Sequence, residues 1–276
     1  MRVALCTPSL DGKVQDEYAL SLVQTVLACA KEGIDVWPCG ARGITVVHDA
    51  RNHLVARALH AGADKVFFID ADMSWRAEDF IRLVKSGEPL IGGVYQQRTR
   101  YFHAQLQFTT KFKTMPPVIS DDGYLHVHGM GTGFMCIDRK VFEDIAAAGW
   151  APLYMPKMEA LKAGSALNRM HLEYRHYFSF GWLMQPIEDI APEYRQILDE
   201  MGYPYETGED GGKYVRLECG EDFNFCNKAK DLGYKVISDP KVRLIHYDGT
   251  VAHHVAFEDV VWGDGGKISF RQTRLA

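Results

Sequence analysis

No apolar run in the chain approaches the ~20 residues that a membrane-spanning helix needs, so no segment reads as a span. Met1-Arg2-Val3-Ala4-Leu5 opens directly into a strand-like run, without the charged, apolar and small-residue succession of a signal peptide. The six cysteines (Cys6, Cys29, Cys39, Cys136, Cys219 and Cys226) form no C-x-x-C pair and no regular framework. That argues against structural zinc and for reduced thiols in a cytoplasm. There is no basic excess either. The formal net charge of -5 disfavours a protein that coats nucleic acid electrostatically, though it says nothing of local patches. Internal repeats and low-complexity stretches are absent.

What is present suits a large core. The chain has 276 residues, 47% hydrophobic and 24% charged, within the range of one large α/β domain. Strand-like and helix-like patterns alternate through the first hundred residues. Arg2 to Cys6 reads as a strand, with Thr7-Pro8-Ser9 as the loop after it. Tyr18 to Lys31 reads as a helix, with Leu20, Val23, Leu27 and Ala30 spaced to form one face. Ile34 to Cys39 is a second strand, and Asp49 to Ala61 a helix capped near His48 or Asp49. Val66 to Met73, Glu78 to Lys85 and Leu90 to Tyr95 continue as strand, helix and strand. This predicts a mainly parallel sheet with helices on both faces. Gly129 to Ile137 reads as one strand, Lys140 to Ala148 and Asp222 to Asp231 as helices, and Tyr234 to Ser238 and Val242 to His246 as strands.

The densest signal is Val66-Phe67-Phe68-Ile69-Asp70-Ala71-Asp72-Met73. Consecutive apolar residues indicate a strand buried on both faces. It ends in two aspartates around one small residue, at the sheet edge where α/β proteins bind ligands. In an extended chain both carboxylates would point into one spot, and a hard divalent cation on phosphate oxygens would relieve their repulsion. Turn and helix-cap duty is the competing explanation for both acids.

Four further groups have similar double readings. Asp49-Ala50-Arg51-Asn52 opens a helix, where an Arg and an Asn suit a phosphate or a base edge, or where the Asp simply caps. In Gly129-Met130-Gly131-Thr132-Gly133-Phe134, bare backbone can approach a ligand or form a strand bulge. No long helix follows in the G-x-G-x-x-G pattern, so the dinucleotide fingerprint is missing. Gly220-Glu221-Asp222-Phe223 places two acids at a helix start, for the dipole or for proton abstraction from an attacking hydroxyl. His246, at the end of a short apolar strand, is a metal ligand or a structural histidine.

In this order, from Val3 to His246, the five groups resemble a GT-A type glycosyltransferase, close to the family-2-like members found in phages and bacteria. The resemblance implies a Rossmann-like α/β fold, a nucleotide-sugar donor (UDP-sugar favoured) and Mn²⁺ or Mg²⁺ held by Asp72 and His246, with Asp70 nearer the ribose or a metal-bound water. Thr7 and Pro8 match the loop that contacts the base, and Asp49, Arg51 and Asn52 the next donor contacts. Ala71, Arg98, Gly131, Thr132 and Gly133 complete the donor set. Asp222, with Glu221 beside it, matches the catalytic base of inverting members, although some related families retain configuration. The expected division is one domain over 1–276. Residues 1–100 form the nucleotide-sugar half and 101–246 the acceptor half, with an insertion at about 150–217. Residues 247–276 form a tail, with His253, His254 and Trp262, that can order as a lid.

The acceptor stays open at this level. From Tyr95 to Ser120 there is no Asp or Glu, while Arg98, Arg100, Lys111 and Lys113 stand among aromatics. These fit a DNA backbone with a hydroxylated base as acceptor, or, as the competing explanation, a donor pyrophosphate bound by Arg98 and Arg100 beside core aromatics. A nucleotidyltransferase and a non-catalytic sugar- or nucleic-acid-binding protein are the alternatives from other classes.

Overall fold

A computed structural model of the chain describes residues 1–96, 110–113, 117–153, 173–190, 192–208, 210–248, 251–254, 260–262 and 268–270. β1 (Arg2–Pro8), α1 (Asp16–Lys31), β2 (Asp35–Ala41), α2 (Val47–His60) and β3 (Lys65–Ile69) form two βαβ units. β1 pairs in parallel with both β2 and β3. The winding therefore reverses between β1 and β3, and a crevice opens beyond the carboxyl ends of those two strands.

β4 (Met73–Trp75), α3 (Ala77–Val84), β5 (Leu90–Gly93), β6 (Thr110–Phe112), β7 (Leu125–Met130), β8 (Phe134–Asp138) and α4 (Arg139–Ala147) follow. Next come β9 (Gly181–Pro186), α5 (Pro192–Glu200), β10 (Tyr205–Thr207), β11 (Lys213–Cys219) and α6 (Glu221–Asp231). The last described elements are β12 (Ile237–Asp239), β13 (Leu244–Asp248), β14 (Val251–His254), β15 (Val260–Trp262) and β16 (Ile268–Phe270).

The main sheet has eight strands in the order β2-β1-β3-β8-β5-β12-β7-β6. β7 and β8 run against the other six. One face is covered by α1 and α3, through Tyr18, Cys29, Phe80 and Leu83. The other is covered by α2, α4 and α6, through Leu54, Val55, Phe142, Phe225 and Ala229. The class is thus α/β, with a mostly parallel, Rossmann-like sheet between two helical layers. β10, β11 and β9 form a separate antiparallel sheet, and β14, β13 and β4 another.

Several local expectations are corrected. β1 continues through Pro8, so Thr7 and Pro8 lie in the strand rather than the loop. On α1 the leucine stripe faces solvent, with Leu20, Val23 and Leu27 all exposed. Its buried side is Tyr18, Ser21, Thr25 and Cys29. Two hydroxyls decide that rotation: Trp75 donates its backbone N–H to Ser21 Oγ at 3.2 Å and its indole N–H to Thr25 Oγ1 at 2.8 Å. A buried indole N–H needs an acceptor. α2 starts at Val47 behind an N-cap Val46 that makes no side-chain cap, so neither His48 nor Asp49 caps it. The expected strand from Gly129 to Ile137 is two strands, β7 and β8, with Gly131-Thr132-Gly133 between them.

β3 is the buried centre, with Val66, Phe67, Phe68 and Ile69 all fully covered. Phe67 stacks on Phe80 with ring centroids 4.3 Å apart and meets Phe134 edge-on at 4.8 Å. Phe67→Ala is expected to lower unfolding free energy by about 3–5 kcal/mol, cavity included. Urea denaturation followed by circular dichroism is the measurement.

Candidate functional site

The two aspartates after β3 are held by main-chain bonds. Met73 donates its N–H to the Asp70 carbonyl at 3.1 Å, so Asp70 to Met73 is a turn and not the extended segment expected. Asp70 N–H is fixed on the Gly133 carbonyl at 3.1 Å, and Ala71 O accepts from Gln15 N at 3.0 Å. A cleft of about 650 Å³ lies beyond, where the sheet winding reverses. Pro8, Lys13, Ala50, Arg51, Asp70, Ala71 and Asp72 are among its lining residues.

Arg51 is the strongest electrostatic feature. Its side chain is 7% exposed, and a guanidinium so buried needs partners. Nη1 donates to Glu221 Oε1, and Nη2 lies 3.4 Å from Asp70 Oδ1. Burial works against its charge, but Asp70, Glu221 and Asp222 outweigh that and raise its pKa. One cation thus ties the N-terminal half of α2 to the end of β3 and to the start of α6.

Asp72 and His246 meet through strand pairing. β13 pairs antiparallel with β4, His246 opposite Met73, and Tyr247 N–H donates to the Asp72 carbonyl at 2.8 Å. His246 Nδ1 lies 2.8 Å from the Gln96 carbonyl. A carbonyl only accepts, so Nδ1 carries the proton. Nε2 is left 3.5 Å from Asp72 Oδ1. Tyr95 packs edge-on against the imidazole at 5.5 Å and accepts the Gly133 N–H at 2.8 Å. A Cβ at Gly133 would stand 2.5 Å from Tyr95 Oη and 2.9 Å from Asp70 Oδ2. Glycine here is a requirement of space.

This donor set suits a divalent cation. Asp72 offers carboxylate oxygen, and His246, as the neutral tautomer, offers an imidazole nitrogen, a combination at home with Mn²⁺. No group of three His, Cys, Asp or Glu side chains is placed to hold an ion among the described residues. Two protein donors leave most positions to water and to phosphate oxygens, the ordinary arrangement for a cation carried with a nucleotide.

Asp222 differs from its neighbours. Burial, then the adjacent Glu221, raises its pKa to about 6, against the Phe223 N–H that bonds Oδ1 at 2.8 Å and the charge of Arg51. The Arg51 hydrogen bond goes to the neighbouring Glu221.

The remaining sequence-expected residues are placed unequally. Thr7 is buried, its hydroxyl bonded to Tyr18 Oη, while Pro8 lines the cleft. Asp49 is half-exposed, with His48 Nε2 3.7 Å away. Asn52 faces protein: its amide exchanges two 2.8 Å bonds with the Phe178 backbone, at zero exposure. Its expected contact with a donor is therefore corrected to an anchoring task. Gly131, Thr132 and Gly133 are buried in the turn before β8, and Thr132 Oγ1 has no hydrogen-bond partner among the described residues. Arg98 and Arg100, and with them most of the acid-free stretch, lie outside the described residues, as do the side chains of His253, His254 and Trp262. Lys13 and Tyr95 were missed. Lys13 follows the first strand as an exposed cation at the cleft, and that position was its only signal.

A second cleft, of about 460 Å³, lies between α2 and α4. Its arginines are committed elsewhere: Arg139 to the Ala63 and Leu59 carbonyls, and Arg175 to Glu173 and the Ala151 carbonyl.

No protein-family model matches the chain, and no curated protein matches it. Among solved structures it is similar to A197 from STIV, at 14% identity and TM-score 0.47, over 100% of this chain and 97% of that one. A glycosyltransferase involved in glycosylation of the major capsid of PBCV-1 is similar at 9% identity and TM-score 0.31, over 62% and 78%. S. aureus TarS 1-349 in complex with UDP is similar at 12% identity and TM-score 0.32, over 56% and 50%.

The raised Asp222 pKa has a stability consequence. Between about pH 4 and 6 the folded state holds this proton more tightly than the unfolded state, so stability falls as pH rises through that window. Asp222→Asn is expected to exceed the parent protein by on the order of 2 kcal/mol at pH 7.5, with the gap closing towards pH 4. Urea denaturation at both pH values measures it.

Proposed function

We propose that the cleft binds a nucleoside diphosphate together with a divalent cation. The reading goes one step further: the chain is a metal-dependent glycosyltransferase that moves a sugar from a nucleotide-sugar donor to an acceptor hydroxyl. The observation that carries it is the convergence of the Asp70–Asp72 turn, His246 and the Arg51–Glu221–Asp222 cluster around one sheet edge. Turn or cap duty for each acid does not account for His246 set against Asp72, nor for a buried arginine shared by Asp70 and Glu221.

In this reading Asp72 and His246 hold the cation, which would supply positive charge to the departing diphosphate. Asp70 is the supporting acid, its carboxylate turned to Arg51. Lys13, across the cleft, offers a further charge to the phosphates. Asp222 takes the proton from the acceptor hydroxyl as it attacks. A carboxylate with a pKa of about 6 is mostly ionised at neutral pH and more basic than an ordinary one, as a general base requires. Attack from the face opposite the leaving group gives inversion. Arg51 positions Glu221, which keeps α6 and its Asp222 in register with the donor half.

Incubation with a panel of UDP- and GDP-sugars and Mn²⁺, reading released UDP or GDP, is the test. Slow hydrolysis is expected with one donor and should vanish in Asp72→Ala. Asp222→Asn should lower transfer about 10²–10⁴-fold while Mn²⁺–UDP binding, read by calorimetry, is unchanged. Mn²⁺ alone should bind much more weakly than Mn²⁺ with UDP. Release of pyrophosphate from a nucleoside triphosphate, with no hydrolysis of any nucleotide sugar, would replace this reading by nucleotidyl transfer.

A further inference from the structure

The helices that supply Arg51 and Asp222 also grip a stretch of chain that the proposed chemistry does not use. Asn52, next to Arg51 on α2, bonds the Phe178 backbone on both sides. On α6, Asn224 Nδ2 donates to the Ser179 carbonyl at 2.9 Å, and Lys228 Nζ to the Tyr177 carbonyl at 3.0 Å. Burial of the Lys228 ammonium lowers its pKa to about 8. Three buried or half-buried side chains therefore fix residues 177–179 to the two site helices. At Gly181 a Cβ would come within 2.3 Å of the Asn224 amide, so β9 begins in contact with the first turn of α6.

From this anchored point the chain turns apolar groups outward. Phe180 is 56% exposed, Trp182 61% and Met184 39%. Phe180 packs edge-on against His48 at 5.3 Å, in the first turn of α2 beside the cleft. Alternation along β9 puts Trp182 and Met184 on one face of the small sheet, opposite Glu218 and Arg216 of β11. Arg216 is paired with Glu206 at 2.7 Å. An indole this exposed, on a strand that begins against the first turn of a helix bearing a candidate base, is an unusual use of apolar surface.

We propose that Phe180, Trp182 and Met184 form the acceptor platform, and that what lies on it is a carbohydrate; the inference rests on the transferase reading above. The aromatic face carries negative potential, which attracts the weakly positive C–H hydrogens on one side of a pyranose ring. Glu218 and the Arg216–Glu206 pair offer hydroxyl partners at its edge. The charge pattern is wrong for a nucleic acid. A strand of phosphates needs a basic track beside the stacking residues, whereas among the described residues of this face the arginine is paired with Glu206 and Glu218 faces the same side. The platform is also continuous with the site, since the chain runs from Glu218 in β11 through Gly220 into Glu221 and Asp222 of α6.

The test uses the full chain with ¹⁵N-labelled indoles, titrated with cellobiose, maltose, chitobiose and a short single-stranded DNA. Trp182→Phe identifies the Trp182 indole signal by its loss. A saccharide is expected to shift that signal while DNA does not; a shift with DNA only, or with no saccharide, overturns the proposal. This titration needs neither donor nor turnover, so it decides the platform even if no nucleotide sugar is hydrolysed. With the matching donor, Trp182→Ala and Phe180→Ala are expected to raise the acceptor KM about tenfold. Donor hydrolysis without acceptor should stay unchanged, and Trp182→Phe should transfer nearly as the parent does. Unchanged acceptor kinetics in Trp182→Ala would overturn it as well.

Discussion

Arg51 is the constraint on which the site depends. Its guanidinium is buried and cannot shed its charge, so the fold has to bring acids to it. Those acids come from the end of β3 and the start of α6, which are remote in sequence. The same bond sorts the carboxylates by task. Asp70 and Glu221 face the cation, Asp222 stands beside it with a raised pKa, and Asp72 turns to His246. Among the described residues one buried cation stands among four acids, a setting that favours a cation arriving with its ligand.

The sheet supplies the placement. Reversal of winding at β1 and β3 opens the crevice, and the small β14-β13-β4 sheet carries His246 back across it from the far end of the chain. β9, β10 and β11 stand apart from the main sheet and touch it through α6, so the cleft and the small sheet rest on separate supports that meet at α6. In that arrangement the small sheet can vary in shape without disturbing the residues that line the cleft.

Much of this was legible in the residues, for identifiable reasons. β3 announced itself because a strand buried on both faces must be apolar throughout, and its two terminal acids were conspicuous for breaking that run. His246 was legible only in company, since a lone histidine has many uses. The leucine stripe of α1 misled, because periodicity marks a face but not which way it points; Ser21 and Thr25, bonded to Trp75, set the rotation. Asn52 was placed with the ligand contacts for its place in a helix-opening motif, and nothing in the sequence names Phe178 as its partner 126 residues away. Glu221 and Asp222 were recognised as a pair, yet their difference depends on burial and on Arg51, which no local pattern records.

The acids themselves are held by backbone. Asp70 N–H, Asp70 O, Ala71 O and Asp72 O each bond to a main-chain partner, on Gly133, Met73, Gln15 and Tyr247 respectively. Main-chain N–H groups are common to every residue type except proline, so three of those partner positions could change identity without losing these bonds. Gly133 is the exception, because any side chain there would collide with Asp70 and Tyr95. The site is thus tolerant of drift around its rim and intolerant at one point. A lineage carrying it could lose most of its recognisable sequence while keeping its geometry intact.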